Sequence, residues 1–265
     1  MRPSRISSSS QVDVLKELVI SYHDQVTSTS DLARQAVKEG SLAGTAFRAG
    51  LQTKGRGRHG RHWESPEGNL YVSIILYPAV PEVRWPEISL VTGLALLDAI
   101  RSLKKDAGIT LKWPNDVLVD GLKCAGILLE REGDAIIVGC GVNLDAEPIE
   151  TSGWAPGSLN RNSTTEPITP EILMKTFEQT LIRRYNTWEG EGFEQHRRDW
   201  TRAAAHIGAM LAVDLGQGKV LHGIFESLGE DGALMLCSGD GTTHRIQAGD
   251  VISARLEEDQ HASCH

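Results

Sequence analysis

The sequence predicts an α+β fold: a mixed β-sheet with helices packed on it, followed by a small C-terminal β-barrel. Three observations carry this reading. Apolar, strand-sized runs recur as far as Val142. Long stretches of helical periodicity, the clearest at Pro86–Lys105, fall between them. Beyond residue 207 the texture changes to short strands punctuated by glycine, the pattern of a small barrel. We therefore expect a disordered tail over 1–10, one unit over 11–206, a barrel over 207–258 and a disordered tail over 259–265.

Each element has its own signal. Val12, Leu15, Leu18 and Val19 give a weak helical pattern over 11–25. Thr27–Ser30 and Gly40 bracket a second helix. Ala46–Leu51 and Asn69–Tyr77 read as strands, the second with the β-branched and aromatic bias of a buried one. In Pro86–Lys105 the apolar positions include Ile88, Val91, Leu94, Ala95, Leu97 and Ile100. Ile109–Trp113, Val117–Val119, Cys124–Glu130 and Asp134–Val142 are strand-like, and Asp120-Gly121 between two of them is a strong hairpin signal. Residues 145–168, rich in Pro, Ser, Thr, Asn and Gly, read as a long loop. The sequon Asn162-Ser163-Thr164 within it is taken as a chance match. Pro170–Arg202 returns to helical periodicity.

Bulk properties exclude several classes of function. The 265 residues carry a formal net charge of −8, which argues against a general nucleic-acid binder. No apolar run is long enough to span a bilayer, and the polar start MRPSRISSSS lacks the core of a signal peptide. Cys124, Cys140, Cys237 and Cys264 show no metal-like spacing, so reduced thiols in a cytoplasmic protein are the simplest reading.

Against the acidic background, Gly55–Trp63 (GRGRHGRHW) places three arginines among three glycines. Glycine lets the backbone approach a ligand, and arginine presents planar donors suited to carboxylate or phosphate. The alternative is a solvated charge run. The literal GxGxxG is not followed by a helix, so a dinucleotide turn is disfavoured. Lys112-Trp113-Pro114-Asn115-Asp116 ends one strand, and Lys123 begins another after the hairpin, so two ammonium groups could converge on an anion. They could equally be ordinary edge lysines. Ser28, Thr29 and Ser30 could cap a helix or hold a polar head group at its start. Asn143, in Gly139–Asn143, could hydrogen-bond a base or ribose, or simply turn the chain.

Taken in order, TSTS, QTKGRGRHGRHW, KWPND, GLKCAGIL, GCGVN and a C-terminal AGDV resemble the biotin–protein ligase family (biotin–[acetyl-CoA-carboxylase] ligase) over nearly the whole chain. The resemblance implies a mixed-sheet catalytic domain, a small SH3-like barrel and a two-step reaction. Biotin and ATP, with Mg²⁺, would give biotinyl-5′-AMP and pyrophosphate. A lysine of a biotin carboxyl carrier domain would then take the biotinyl group. By the same resemblance, Ser28, Thr29, Ser30, Gln52, Arg56, Gly57, Arg58 and Lys123 would contact biotin or its adenylate, with Arg58 and Lys123 as the activating charges. Trp63 and Asn143 would hold the nucleotide, and Lys112, Asn115 and Asp116 would line the nucleotide and metal side, Asp116 as a magnesium ligand. The loop would be exposed and disordered without ligand, and closed over the adenylate when occupied. Only 27 residues precede Ser28, so the implied type lacks the DNA-binding domain of the family's repressors. A cytoplasmic monomer or weak homodimer, with neither nucleic acid nor membrane as partner, completes the expectation. Ser30, Lys54, His59 and His62 depart from the family's usual Asn, Ala and Arg or Lys. Two other readings stand beside it: a lipoate–protein ligase, and a non-enzymatic nucleic-acid-binding module.

Overall fold

The computed structural model describes residues 14–105, 107–147, 154–161 and 166–255; the expected tails and the sequon lie outside them. A seven-stranded mixed sheet forms the larger layer. It comprises β1 (Val19–Val26), β2 (Thr45–Gln52), β3 (Leu70–Leu76), β4 (Ile109–Lys112), β5 (Asp116–Val119), β6 (Leu122–Glu132) and β7 (Ala135–Val142). Their spatial order is β1-β2-β3-β7-β6-β5-β4, with β1 parallel to β2 and every other pair antiparallel. The interior strand β3 is buried throughout, as its apolar run requires.

Helices cover both faces. α2 (Glu87–Leu103) and α3 (Pro170–Glu191) pack on one. Thr169 caps α3, its hydroxyl accepting from Ile172 N at 3.3 Å with Pro170 following. Gly192 (φ 91°) ends it, so the helical stretch continues as a separate α4 (Glu194–Ala203). On the other face α1 (Thr29–Lys38) covers only part of the sheet, through Ala33 and Ala36 against Ile75, Ala135 and Ile137. Further along β7 the residues on this face are Gly139 and Gly141, which leaves an open floor.

The glycine-spaced C-terminal strands form a five-stranded antiparallel sheet, order β11-β10-β9-β8-β12. These are β8 (Met210–Asp214), β9 (Val220–Leu228), β10 (Leu234–Cys237), β11 (Thr243–Ile246) and β12 (Asp250–Arg255). Its inward residues Leu211, Val213, Phe225, Leu234 and Leu236 join the same apolar cluster as α2 and the larger sheet. The two sheets therefore share a continuous core.

Two expectations are corrected. The helix expected over 11–25 is not seen in the described residues, where 14–18 carry no regular structure and Val19–Val26 is β1. β1 is an edge strand exposed along most of its length, so it lacks the alternation that marks a half-buried strand. Leu15 and Leu18 are buried, but their amides bond Asn186 Oδ1 (3.0 Å) and Glu178 Oε1 (2.9 Å) of α3 instead of a helical turn. Cys124 and Cys140 are free and buried, but Cys237 is disulfide-bonded, where four reduced thiols were expected.

The joint between the sheets is tight at Gly232. Its carbonyl accepts from Trp113 Nε1 at 3.1 Å, its φ is 79°, and an added Cβ would lie 2.4 Å from Leu90 Cδ1. Gly232→Ala is expected to destabilise the protein by about 1–3 kcal/mol, from left-handed strain and overpacking. Urea denaturation followed by tryptophan fluorescence measures this; an unchanged midpoint would show that the joint yields freely.

Candidate active site

The cleft lies on the half of the sheet that α1 leaves open, roofed by the Gly55–Trp63 segment and closed at one side by the C-terminal sheet. All the site residues named from the sequence line it.

Its floor is glycine because Trp63 needs the space. A Cβ on Gly141 would come within 2.5 Å of Trp63 Nε1, and one on Gly126 within 3.0 Å of its ring. Among the described residues Trp63 Nε1 and the Oδ1 of buried Asn143 have no hydrogen-bond partner, while Asn143 Nδ2 donates to Gly157 O at 3.2 Å. At one end sits a hydroxyl cluster. Ser28 occupies the N-cap position of α1 yet makes no side-chain capping bond. Thr29 N and Oγ1 both donate to Gln52 Oε1, at 2.9 and 3.1 Å. Gln52 Nε2 donates to Ser65 Oγ, and Ser73 Oγ lies 2.8 and 3.1 Å from the hydroxyls of Thr29 and Ser30. These hydroxyls are directed at one another and into the cleft, not at the helix end.

At the other end the charges gather. The register of the β4–β5 hairpin sets Lys112 opposite Asp116, and the ammonium of Lys112 meets Asp116 Oδ2 at 2.7 Å. Lys123 reaches Asp116 Oδ1 at 2.8 Å because of a bulge. β5 pairs Val117 with Ala125 but Leu118 with Lys123, skipping Cys124, which turns Lys123 onto the face of Asp116 and Gly126. Burial alone would push the Asp116 carboxyl up, but the two ammonium groups hold it below the usual carboxylate range. Burial likewise lowers the Lys112 ammonium, with Asp116 opposing. Trp154 lies 5.2 Å from Lys112 Nζ and Trp63 lies 5.4 Å from Lys123 Nζ, so an aromatic ring flanks each ammonium.

A model of the Biotin/lipoate A/B protein ligase family matches residues 22–143. The biotin–[acetyl-CoA-carboxylase] ligase of Paracoccus denitrificans is 36% identical over 206 residues, spanning 74% of this chain and 85% of that protein. The chain belongs to the biotin–protein ligase family. The corresponding ligase of Mycobacterium tuberculosis is 32% identical over 233 residues, 86% of each chain. The biotin protein ligase from Aquifex aeolicus, solved in complex with biotin and ATP, superposes with a TM-score of 0.79 at 26% identity, covering 90% of this chain and 99% of that one.

The geometry bears on two expectations taken from the biotin–protein ligase resemblance. The arginine-rich segment lies over the cleft with its three arginines half-buried and His59, Gly60 and His62 exposed. Arg56 pairs with Asp31 of α1 at 2.7 Å and approaches Glu130 of β6 at 3.6 Å, while Arg58 and Arg61 both bond Asp250 of β12. Each arginine has a carboxylate waiting on another element, which the local sequence does not reveal. Asp116 does not fit as a magnesium ligand, since each of its oxygens already faces an ammonium and a divalent cation would have to displace one. Sequence reasoning also missed Asp250, Trp154, Asp31 and Glu130. Asp250 stands in the AGDV segment noticed beforehand but given no role; Trp154 sits in a loop with no periodic signal at all.

Asp116→Asn leaves the Lys112 ammonium buried without its counter-charge, and is expected to cost about 3–5 kcal/mol near neutral pH. Lys112 is already held below its ordinary 10.5, so the folded chain sheds this proton before the unfolded chain does. The penalty is therefore full below the lowered pKa and relieved as pH rises towards 10.5. Denaturation of wild type and variant from pH 6 to 10.5 should show the gap narrowing; a constant gap would remove Lys112 as its cause.

Proposed function

We propose that this chain activates biotin as biotinyl-5′-AMP at the expense of ATP and transfers the biotinyl group to a lysine of a biotin carboxyl carrier domain. The observation that carries this reading is the convergence of Lys112 and Lys123 on one buried carboxylate, with Arg58 lining the same glycine-floored, tryptophan-roofed cleft. In the first step a biotin carboxylate oxygen bonds to the α-phosphorus of ATP, and the bond to the bridging oxygen of pyrophosphate breaks. Two anions must meet, and Lys123 and Arg58 offset their repulsion and the charge that develops. In the second step the acceptor amine bonds to the biotinyl carbonyl carbon, AMP leaves with the C–O electron pair, and the amine loses a proton.

The hydroxyl cluster of Ser28, Thr29 and Ser30, with Gln52, holds the polar head of biotin; the backbone at Gly57 closes over its tail. Trp63 and Asn143 take the nucleotide, Asn143 Oδ1 and Trp63 Nε1 offering an acceptor and a donor that no group among the described residues uses. Lys112, Asn115 and Asp116 form the nucleotide side. Magnesium enters on the triphosphate oxygens as part of the nucleotide substrate. Trp63 and the loop exclude water from an adenylate that water would hydrolyse. The division into a catalytic unit over 11–206 and a C-terminal unit over 207–258, and a cytoplasmic setting, belong to this reading. No helix of the described residues is long and apolar enough to cross a membrane.

Purified protein should release pyrophosphate from ATP only when biotin is added, and Arg58→Ala should slow that release by about a hundredfold with its thermal unfolding little changed. Equal or faster release with lipoate would reassign the substrate, and a large loss of stability in Arg58→Ala would make that arginine structural.

A further inference from the structure

We infer that Asp250, contributed by the C-terminal sheet, is a positioning residue for the adenylation step, acting by fixing the guanidinium of Arg58 in the cleft. The inference rests on the ligase reading given above. Asp250 Oδ1 accepts from Arg58 Nη1 at 2.7 Å, and its other oxygen accepts from Arg61 Nη2. His59 Nε2 lies 3.7 Å from the same carboxylate. One carboxylate thus gathers two guanidinium groups and lies close to an imidazole, all from a segment 192 residues away at Arg58.

The pattern at Arg58 is one-sided. Its Nη1 donates to Asp250, donates to Gly249 O at 3.1 Å and reaches Asn115 Oδ1 at 3.5 Å. Among the described residues its Nε and Nη2 make no hydrogen bond, so the planar fork is held by one corner and presents the rest to the cleft. A guanidinium on a glycine-rich loop would otherwise sample many directions; ordering it in advance removes that cost from the reaction.

Asp250 is itself firmly placed. It opens β12, paired with Asp214 of β8, and the next residue, Val251, is buried in the continuous core. Trp154 Nε1 donates to Val251 O at 2.9 Å. Gly249 leaves no latitude, since a Cβ there would lie 2.9 Å from Asp214 O. The position of Arg58 is therefore referred to the C-terminal sheet as well as to its own loop. A surface ion pair kept only for stability contributes about 0–1 kcal/mol, and such a pair would not need this arrangement around one corner of a single arginine.

The test is a double-mutant cycle on the full chain, read as biotin-dependent pyrophosphate release with kcat and KM for biotin and ATP. Asp250→Asn should lower kcat about ten- to a hundredfold while leaving the biotin KM within about twofold. Asp250→Glu should recover most of the loss. In the Arg58→Ala background Asp250→Asn should have no further effect, because Asp250 acts through Arg58. An Asp250→Asn enzyme with wild-type kcat, or a loss that adds in full to that of Arg58→Ala, overturns the inference. If Asp250→Asn does not fold, Asp250→Ala carries the same cycle: its loss must be present with Arg58 and vanish without it, and an equal loss in both backgrounds overturns the inference. Absence of biotin-dependent release by the wild-type protein would instead sink the ligase reading, which keeps the two failures apart.

Discussion

A carboxylate buried between two ammonium groups governs the geometry of the cleft. Taking Lys112 and Asp116 out of water is costly, and neither would be tolerated there alone. Together with Lys123 they form a unit whose members are fixed by backbone register: Lys112 by the β4–β5 hairpin, Lys123 by the β5–β6 bulge. Asp116 lets two like charges share a small volume while leaving a surplus of positive charge. Arg58 adds a third cation nearby, drawn to Asp116 as well as to Asp250. Burial opposes that charge and lowers the Arg58 guanidinium from its ordinary value, so an incoming anion finds partly desolvated donors.

The rest of the site follows from how one face of one sheet is divided. Along β7 the residues facing α1 are Ala135 and Ile137, and those facing the cleft are Gly139 and Gly141. The same strand therefore packs a helix at one end and vacates a cavity at the other. α1 stops where the glycines begin, so its first turn delivers Thr29 and Ser30 to the rim, where Ser73 and Gln52 meet them. Burying hydroxyls is acceptable here because they satisfy one another.

Much of this was legible in the sequence, and the failures have physical causes. Asp120-Gly121 announced its hairpin because only a few residue types accept the left-handed turn that both adopt, at φ 50° and 79°. The helices after Pro86 and Pro170 announced themselves by period. Lys112 and Lys123 were expected to converge, and they do, but not for a reason the sequence contains. Simple alternation from Gly126 puts Lys123 on the opposite face, and only the bulge reverses it. β1 was misread because an edge strand with both faces wet has no period to read. The counter-charges of the loop, Asp31, Glu130 and Asp250, were not legible because they come from three different elements. A cluster of like charges looks solvated from within its own segment whatever the fold places opposite it.

Exposure decides which of the two lysines can leave Asp116 for a substrate. The Lys112 side chain is 6% exposed and that of Lys123 is 25%. Withdrawing Lys112 would strand it beneath Trp154, away from water and from its only close carboxylate among the described residues. Lys123 swings from a strand end under the edge of Trp63, and an arriving carboxylate or phosphate could replace one anionic partner with another at little cost. Lys112 then remains as the fixed counter-charge that keeps Asp116 ionised while Lys123 is engaged elsewhere. On this account the pair is asymmetric by design of the backbone: one ammonium is anchored so that the other can move.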